Sequence, residues 1–389
     1  VVATDEGPSI EGLKDGHWVL LGSAMNNPAI MALYRRNYAF VDDFYPGGNG
    51  YALRTIHNPE NQGHNVLMVG GSCPEGAASG LDQLERMLGS GSPLGQINIA
   101  RAAACETGQQ VHMTVSVKPV VPQLRIPEMG LVEYREDMAA GFDRNEGRRV
   151  VSRGIEHGLT HHLTNDAKCA RMFLEALFTY EDLVRNVHGG VWPFDHMIFV
   201  YSWVWRLAFV WDLVEESEAF TDEERLRMTN ILLDLARYVQ GLRYFEGDDA
   251  RKMEIRQNHW TYAALSMRNI GEYFRRYYGM DDFDRELDLA RAIFDGQAES
   301  YKSNDDAGGG GYCWAVPSHQ MTFDFARDDF RFAENGSLRT LADYAIQITD
   351  NMGSPCSFGD VGHYAERGPV SFRMFQGLST AAWYYGDGA

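Results

Sequence analysis

The stretch FTDEERLRMTNILLDLARYVQGL, residues 220–242, has the pattern of a complete amphipathic helix. Thr221 is a predicted N-cap, and acidic residues fill the first turn, where the positive end of the helix dipole favours them. Apolar residues then recur at helical spacing, at Leu232, Leu235, Val239 and Leu242. The stretch therefore predicts one long helix whose apolar face must pack against another element.

Helical spacing continues on both sides of that stretch, in segments of similar length joined by short or glycine-rich loops. The further predicted helices are 166–187, 194–214, 259–278, 285–302, 337–352 and 370–385. No strict sequence repeat accompanies them, which disfavours a solenoid of identical units. Successive amphipathic hairpins instead predict a mainly α fold, an (α/α) toroid or incomplete barrel with a cleft at one end.

The first third of the chain has a mixed α/β pattern. Short apolar runs at 17–23, 65–72 and 110–117 predict strands, and a helical pattern follows the second of them. The glycine turn between that strand and helix, GGSCPEG, matches neither nucleotide-binding fingerprint, so we interpret it as a plain strand-to-helix turn. Proline and charge clusters then indicate a linker. The predicted organisation is an α/β domain at 1–120, a linker at 121–150 and a toroidal catalytic domain at 151–389.

Composition excludes several function classes. The chain of 389 residues has a net charge of −19, which argues against nonspecific nucleic-acid binding because that requires a basic surface. Its most apolar stretch is broken by His196 and Arg206, so no membrane span is predicted. The five cysteines have no CxxC spacing, and His157 and His161 have no acidic partner in a zinc-protease pattern. We therefore predict no metal site and no cofactor.

The segment IRQNHWTYAALSM, residues 255–267, places an amide beside an imidazole near a predicted helix start. Helix capping would explain Asn258 by itself, and burial could explain a lone histidine. Neither explains the adjacent His259, nor the run GGGGYCWAVPSH at 308–319, which brings Tyr312 and His319 after four glycines. Four consecutive glycines suit a backbone that passes close to a ligand. This pairing favours a site made of hydrogen-bond donors and a tyrosine.

Such a set of residues suits β-elimination from a uronic acid. That reaction removes the C5 proton, which is too weakly acidic while the neighbouring carboxylate keeps its full charge. Asn258 and His259 could stabilise the charge that develops on the carboxylate. Tyr312 could take the proton and return one to the leaving oxygen, with His319 or His363 as a second base or donor. No metal is needed for these roles.

The Asn-His pair at a helix start, with a tyrosine 54 residues downstream of Asn258 in a glycine-rich loop, resembles polysaccharide lyases of the (α/α)-toroid type. These include alginate, oligoalginate and glucuronan lyases and the heparinase II/III-like group. AFVWDLVEESEAFTDEERLRM is similar to a helical hairpin of those toroids, and PCSFGDVGHY is similar to their Gly-Asp loop. The resemblance covers about residues 150–370 and leaves the α/β segment unexplained.

The resemblance implies that Asn258 and His259 neutralise the substrate carboxylate, that Tyr312 is the catalytic acid and base, and that His319 or His363 assists. The candidate substrate contacts are Trp260, Tyr262, Trp314, Arg256 and Asp360, although Trp314 could equally be a core residue. Alginate lyases of this type often carry an arginine shortly before the tyrosine, where this chain has NDDAGGGG. That departure weakens the case for alginate itself and leaves the wider uronate class.

Two other functions remain open from the sequence. A glycoside hydrolase on the same kind of barrel would use a carboxylate pair chosen from Asp305, Asp306 and Asp360. A glycan-binding protein with a degenerate site would need no catalytic group. The expected partner in all three cases is an anionic polysaccharide or oligosaccharide. A periplasmic or secreted location is expected, although the chain begins VVATDEGPSI and carries no signal segment.

Overall fold

The structure is a computed structural model that describes residues 16–56, 59–60, 62, 64–89, 99–104, 110–115, 144–164, 166–187, 201–215, 217, 219–245, 258–299, 314–351 and 372–386. In this part of the chain the protein is mainly helical, with twelve α-helices and a small three-stranded sheet, which confirms the predicted mainly α class. None of the described helices combines the length and the apolar character needed to cross a membrane.

The chain divides into two compact units. The first contains Val1–Phe199, Arg206–Tyr238 and Tyr273–Met280, and the second contains Val200–Trp205, Val239–Glu272 and Asp281–Ala389. Helix α3 begins inside the range predicted as a linker, and the predicted domain boundaries stay a prediction.

The sheet of the first unit is built around a central strand. The strands are β1 (Trp18–Gly22), β2 (Tyr51–Ile56), β3 (Val66–Gly71), β4 (Ile99–Ala104) and β5 (Gln110–Val115). Strand β3 pairs in parallel with β1 and antiparallel with β2, while β4 and β5 form a separate antiparallel pair. The predicted strands at 17–23, 65–72 and 110–117 match β1, β3 and β5. Strand β2 was missed because it lies inside the segment 44–65, whose glycines and prolines predicted a loop.

Four complete helices also belong to the first unit. They are α1 (Pro28–Arg35), α2 (Pro74–Gly89), α3 (Arg144–Thr164) and α4 (Ala167–Val187). Helix α2 begins three residues after β3 ends, so GGSCPEG is a strand-to-helix turn as predicted. Gly71 is required there, because a Cβ at this position would lie 2.3 Å from the backbone nitrogen of Ala77. Leu20, Ile30, Leu33, Val41, Leu53 and Met68 are among the buried residues of the core around this sheet.

The stretch at 220–242 forms a helix as predicted. Helix α5 spans Tyr201–Val214, and α6 spans Asp222–Gln240. The Thr221 backbone nitrogen donates to the Glu224 carboxylate at 2.8 Å, and the Glu224 nitrogen donates back to Thr221 Oγ1 at 3.2 Å. This reciprocal capping box confirms Thr221 as the N-cap. The guanidinium of Arg171 holds the pKa of Glu224 down to about 2, and the bonds from Thr221 lower it further, although desolvation opposes them.

The remaining helices are α7 (Asn258–Tyr278), α8 (Asp284–Glu299), α9 (Ala315–Arg327), α10 (Arg331–Glu334), α11 (Ser337–Ile348) and α12 (Phe372–Tyr385), with a short 3-10 turn at Arg243–Phe245. In the second unit, α8 to α12 bury an apolar core that includes Trp314, Met321, Phe332, Leu338 and Met374. Helices α8 and α9 also meet through the stacked rings of Phe294 and Phe323, whose centroids are 4.3 Å apart.

Helix α9 was not predicted from the sequence. Its Pro317 resembles a helix breaker, but a proline in the first turn removes no intrahelical hydrogen bond. Its remaining residues have no clear polar face, because the helix is buried around most of its circumference. His319 was therefore expected in a loop, whereas the structure places it inside this helix.

A pair of helical glycines tests how tightly the helices pack. A Cβ at Gly158 of α3 would lie 2.5 Å from Val210 Cγ1 and 2.8 Å from a Phe173 ring carbon, whereas a Cβ at Gly296 of α8 would meet nothing within 4 Å. We expect Gly158→Ala to lower the free energy of unfolding by about 1–3 kcal/mol through overpacking. Gly296→Ala should raise it by about 0.5–1 kcal/mol because alanine favours the helix. Urea denaturation of both variants measures the difference, and equal effects would contradict the close packing of α3.

Candidate functional site

The candidate site begins at the first turn of α7. Asn258 is the first helical residue, one position before the predicted helix 259–278, so it lies within the helix instead of preceding it as a cap. Its side chain is buried, while His259 and Trp260 are each half-buried. The Trp260 ring packs edge-on against Tyr244 with centroids 5.0 Å apart. This contact anchors the first turn of α7 to the 3-10 turn before it.

Helix α9 brings His319 against the same turn. His319 is 3% exposed, and its Nδ1 lies 2.8 Å from Thr261 Oγ1. The Thr261 hydroxyl donates in turn to the backbone carbonyl of Asn258 at 3.0 Å. Because the hydroxyl has a single hydrogen, Nδ1–H of the imidazole is the donor to Thr261. That tautomer puts the lone pair of the neutral ring on Nε2.

The Tyr262 ring fixes the plane of the imidazole from a second direction. Its centroid is 4.1 Å from that of His319, with an angle of 59° between the rings. The structure therefore brings together Asn258, Thr261, Tyr262 and His319. Thr261 was not proposed from the sequence. Its spacing of three residues from Asn258 on a helix was the one available signal, and its partner on α9 could not be foreseen.

The backbone of α7 adds a positive potential at this end. The amide groups at a helix N-terminus point outward and favour an anion. Some helices of the protein place their own carboxylates at that end, as α6 does with Asp222, Glu223 and Glu224 and α8 with Asp284 and Glu286. The first turn of α7 contains no acidic residue. This end of α7, to which Asn258 and His259 belong, therefore favours an anion over a cation.

Several predicted site residues cannot be placed. Tyr312, His363, Arg256 and Asp360 lie outside the described residues, as do Asp305 and Asp306 of the hydrolase alternative.

Trp314 requires a correction. It is fully buried among the apolar side chains of the second unit, so it is a core residue and cannot stack on a sugar. A Cβ at Gly377 of α12 would lie 2.6 Å from its ring, which shows how closely that helix covers it. The sequence left both roles open because a tryptophan suits either environment.

No group of three or more His, Cys, Asp or Glu side chains able to hold a metal ion occurs among the described residues. The donor set at the first turn of α7 is an amide, an imidazole and a hydroxyl. The amide and the imidazole can each donate a hydrogen bond to an anion, whereas the Thr261 hydroxyl already donates its single hydrogen to the Asn258 carbonyl.

A second buried polar group lies farther along α9. Asp324 is 5% exposed, and its Oδ1 accepts a hydrogen bond of 2.6 Å from Gln320 Nε2. Burial raises the pKa of Asp324 to about 8, and the charges of Asp329 and Asp295 act in the same direction, although Gln320 and Arg331 oppose them. Asp324 is thus mostly protonated and uncharged in the folded protein at neutral pH.

Comparisons of the chain with known protein families, with curated proteins and with solved structures found no match. Its function is therefore inferred from the chemistry of the site.

Substitutions at Thr261 test the contact between α7 and α9. Valine has nearly the same shape but no hydroxyl, so Thr261→Val should lower the free energy of unfolding by about 1–3 kcal/mol by removing the hydrogen bonds to His319 and Asn258. Thr261→Ser keeps the hydroxyl and loses a buried methyl group, which should cost about 1 kcal/mol or less. Urea denaturation compares the two, and a greater loss for serine than for valine would contradict this role.

Asp324 predicts a pH dependence of stability. Its pKa is about 8 in the folded protein and about 4 in an unfolded chain, so the folded state binds the extra proton between these values. The contribution of Asp324 to the free energy of unfolding should therefore be greatest below about pH 4. It should fall as the pH rises from about 4 to about 8. Asp324→Asn keeps a neutral acceptor for Gln320 and should flatten this decline. Urea denaturation at pH 5 and pH 8 checks it, and an unchanged slope in the variant would refute it.

Proposed function

We propose that this chain is a polysaccharide lyase of the (α/α)-toroid type that cleaves a uronic-acid-containing glycan by β-elimination. One observation supports this function above the others. His319 is hydrogen-bonded to Thr261, which is hydrogen-bonded in turn to the backbone of Asn258 in the first turn of α7. That turn contains Asn258 and His259 and has no acidic residue. Amide, imidazole and helix dipole together form a setting in which a carboxylate gains stability.

The first task of the site is to weaken the charge on the substrate carboxylate. Asn258 and His259 would donate hydrogen bonds to its oxygens. These bonds strengthen as the C5 proton leaves, because negative charge then moves from C5 into the carboxylate group. Donors that are already oriented before the reaction stabilise that charge without reorganisation. The contacts of Thr261 and Tyr262 with His319 serve this orientation from the α9 side.

The second task is proton transfer. Tyr312 would remove the C5 proton as its phenolate, and the electron pair left on C5 would form the C4–C5 double bond while the bond from C4 to the leaving oxygen breaks. The tyrosine, now protonated, would return a proton to that oxygen. An ordinary tyrosine has a pKa of about 10, so neighbouring donors must favour its ionised form. His319 or His363 would be the additional base or donor, and no metal or cofactor enters the balance.

The proposed substrate is an anionic polysaccharide or oligosaccharide. The net charge of −19 repels such a polymer on average, so binding would rely on the local donors of α7. Trp260, which is half-buried, is the aromatic candidate for contact with the sugar rings, with Arg256 and Asp360 as polar candidates. Tyr262 was a further candidate from the sequence, but it is buried against His319 and acts by holding that ring. Degradation of a polymer of this size suits a periplasmic or secreted enzyme, and we propose that location.

The decisive experiment is an ultraviolet absorbance assay on alginate, glucuronan, glycosaminoglycans and ulvan. Elimination leaves a conjugated double bond that absorbs, whereas hydrolysis releases reducing ends without one. We expect the wild type to generate absorbance on at least one polymer. Tyr312→Phe should lower kcat by about 10²–10⁴ because it removes the acid and base. Asn258→Ala should lower it by about 10²–10³ because a charge-stabilising donor is lost.

Tyr384→Phe is the matched control, since it makes the same chemical change in α12, at a residue not assigned to the site. It should keep wild-type activity. If reducing ends form without any gain in absorbance, the lyase is refuted. The enzyme would then be a hydrolase that uses Asp305, Asp306 or Asp360. Binding of a polymer without either product would support the non-catalytic glycan-binding alternative and refute the lyase.

A further inference from the structure

Three aromatic rings that contact one another form a cluster at the surface of the second unit. The Trp383 ring of α12 lies 5.5 Å from that of Phe325 in α9 and 5.7 Å from that of Phe330, and the two phenylalanine rings are 5.6 Å apart, measured between centroids. Phe330 lies between α9 and α10, so three separate parts of the unit contribute one ring each. Trp383 is 49% exposed, whereas Phe325 and Phe330 are half-buried. We call these three residues the Trp383 platform.

The outer face of α12 continues this surface. Phe375, Ser379 and Trp383 are all exposed and follow one another at intervals of four residues, which places them in one row along the helix. Phe375 is 62% exposed, and the eight residues from it to Trp383 correspond to about 12 Å along the helix axis. Ser379 between them is small, and its hydroxyl donates to the Phe375 backbone carbonyl at 2.6 Å. An elongated ligand lying along α12 would therefore contact both aromatic rings.

The indole of Trp383 is oriented before any ligand binds. Phe325 and Phe330 meet its ring at angles of 46° and 54°, and these two contacts restrict rotation of the side chain. A side chain that is already fixed loses little conformational entropy when it binds a ligand. Covering the two phenylalanines explains why half of Trp383 is buried. A binding role explains why so large an apolar ring keeps its other half in water.

The residues that flank Phe330 in the chain belong to an acidic network. Arg331 lies 2.7 Å from the Asp329 carboxylate and 3.2 Å from that of Glu299, and it also pairs with Asp295. The side-chain hydrogen bonds from Arg331 hold the pKa of Asp329 below its ordinary value, although desolvation opposes them, so this carboxylate is ionised at neutral pH. One guanidinium cannot neutralise three carboxylates. This acidic network therefore repels anions, while the remaining lone pairs of its carboxylates can accept hydrogen bonds from hydroxyl groups.

The size of this surface favours a small, flat ligand over a protein. An aromatic side chain has about 150–250 Å² of surface, so Phe375 and the three rings of the platform together leave on the order of 300 Å² in contact with water. A stable protein interface requires about 800 Å² from each partner. An area of a few hundred Å² instead suits the apolar faces of one or two sugar rings.

We propose that the Trp383 platform, extended by Phe375 along α12, is a non-catalytic binding surface for an uncharged glycan. The apolar face of a pyranose ring packs on the exposed indole, and sugar hydroxyls donate to the carboxylates of the acidic network. The same network selects neutral sugars, because the carboxylate of a uronic acid would meet charge of its own sign. This surface uses none of the residues assigned to β-elimination, so it does not depend on the proposed lyase activity.

The test measures calorimetric binding of oligosaccharides to the full chain. Cellohexaose and mannohexaose are the neutral probes, and hexamers of mannuronic and guluronic acid are charged probes of the same length. The wild type should bind at least one neutral hexamer. Trp383→Ala should weaken that binding roughly tenfold or more, because it removes the ring on which the sugar packs. It should leave the affinity for the charged hexamers unchanged, since the proposed lyase site binds those elsewhere. Loss of the lyase activity and loss of this surface are thus distinguishable.

Two further variants keep the test independent of folding. Phe375→Ala removes a ring that is 62% exposed, so it should fold like the wild type and still weaken binding of the neutral hexamer. Phe44→Ala is the matched control, because it removes a ring that is 91% exposed in the first unit, and it should bind like the wild type. Urea denaturation of each variant checks that the fold is kept.

Four results would overturn the proposal. The first is a wild type that binds neither neutral hexamer, and the second is a folded Trp383→Ala variant that binds them as the wild type does. The third is an equal loss of neutral and charged hexamers in that variant, which would refute the selection of uncharged sugars. The fourth is a wild-type dimer in analytical ultracentrifugation that Trp383→Ala converts to a monomer, which would assign the surface to a second copy of the chain.

Discussion

Polar groups that are withdrawn from water must find partners inside the protein, and this requirement organises the second unit. Helix α9 is buried around most of its surface although it carries Ser318, His319, Gln320 and Asp324. Each buried polar atom without a partner would cost free energy comparable to a hydrogen bond or more. His319 meets the requirement through Thr261 on α7, and Gln320 and Asp324 meet much of it through each other. The contact that defines the candidate site is therefore also a condition for burying α9.

The same requirement connects structure with electrostatics. Asp324 is buried with an amide partner in place of a cation, so its neutral form is favoured and its pKa rises. Glu224 is the opposite case, because it is exposed enough to keep its charge and is bonded to Arg171 and to the helix start. Two carboxylates on helices thus have pKa values on opposite sides of the ordinary range.

Part of the candidate site was predictable from local sequence. The Asn258–His259 pair stands at the start of a helix, as its position before an amphipathic segment indicated. His319 was selected as a candidate, but the pattern around it did not predict a helix because its neighbours lack a polar face. Thr261 was overlooked, since a threonine inside a helix has no distinctive spacing. Trp314 belongs to the core because α12 covers it, and aromatic content alone could not distinguish a core ring from a sugar platform.

The sequence by itself determined the features that depend on neighbours within about one helical turn. These are the capping box at Thr221 and Glu224, the periodicity that makes the chain mainly helical, and the turn between β3 and α2. Only the tertiary structure decided which distant residues meet, as His319 meets Thr261. The physical reason is that capping and periodicity arise from backbone geometry over a few residues. Partnership and burial depend on how whole helices and strands pack, and no local pattern encodes that.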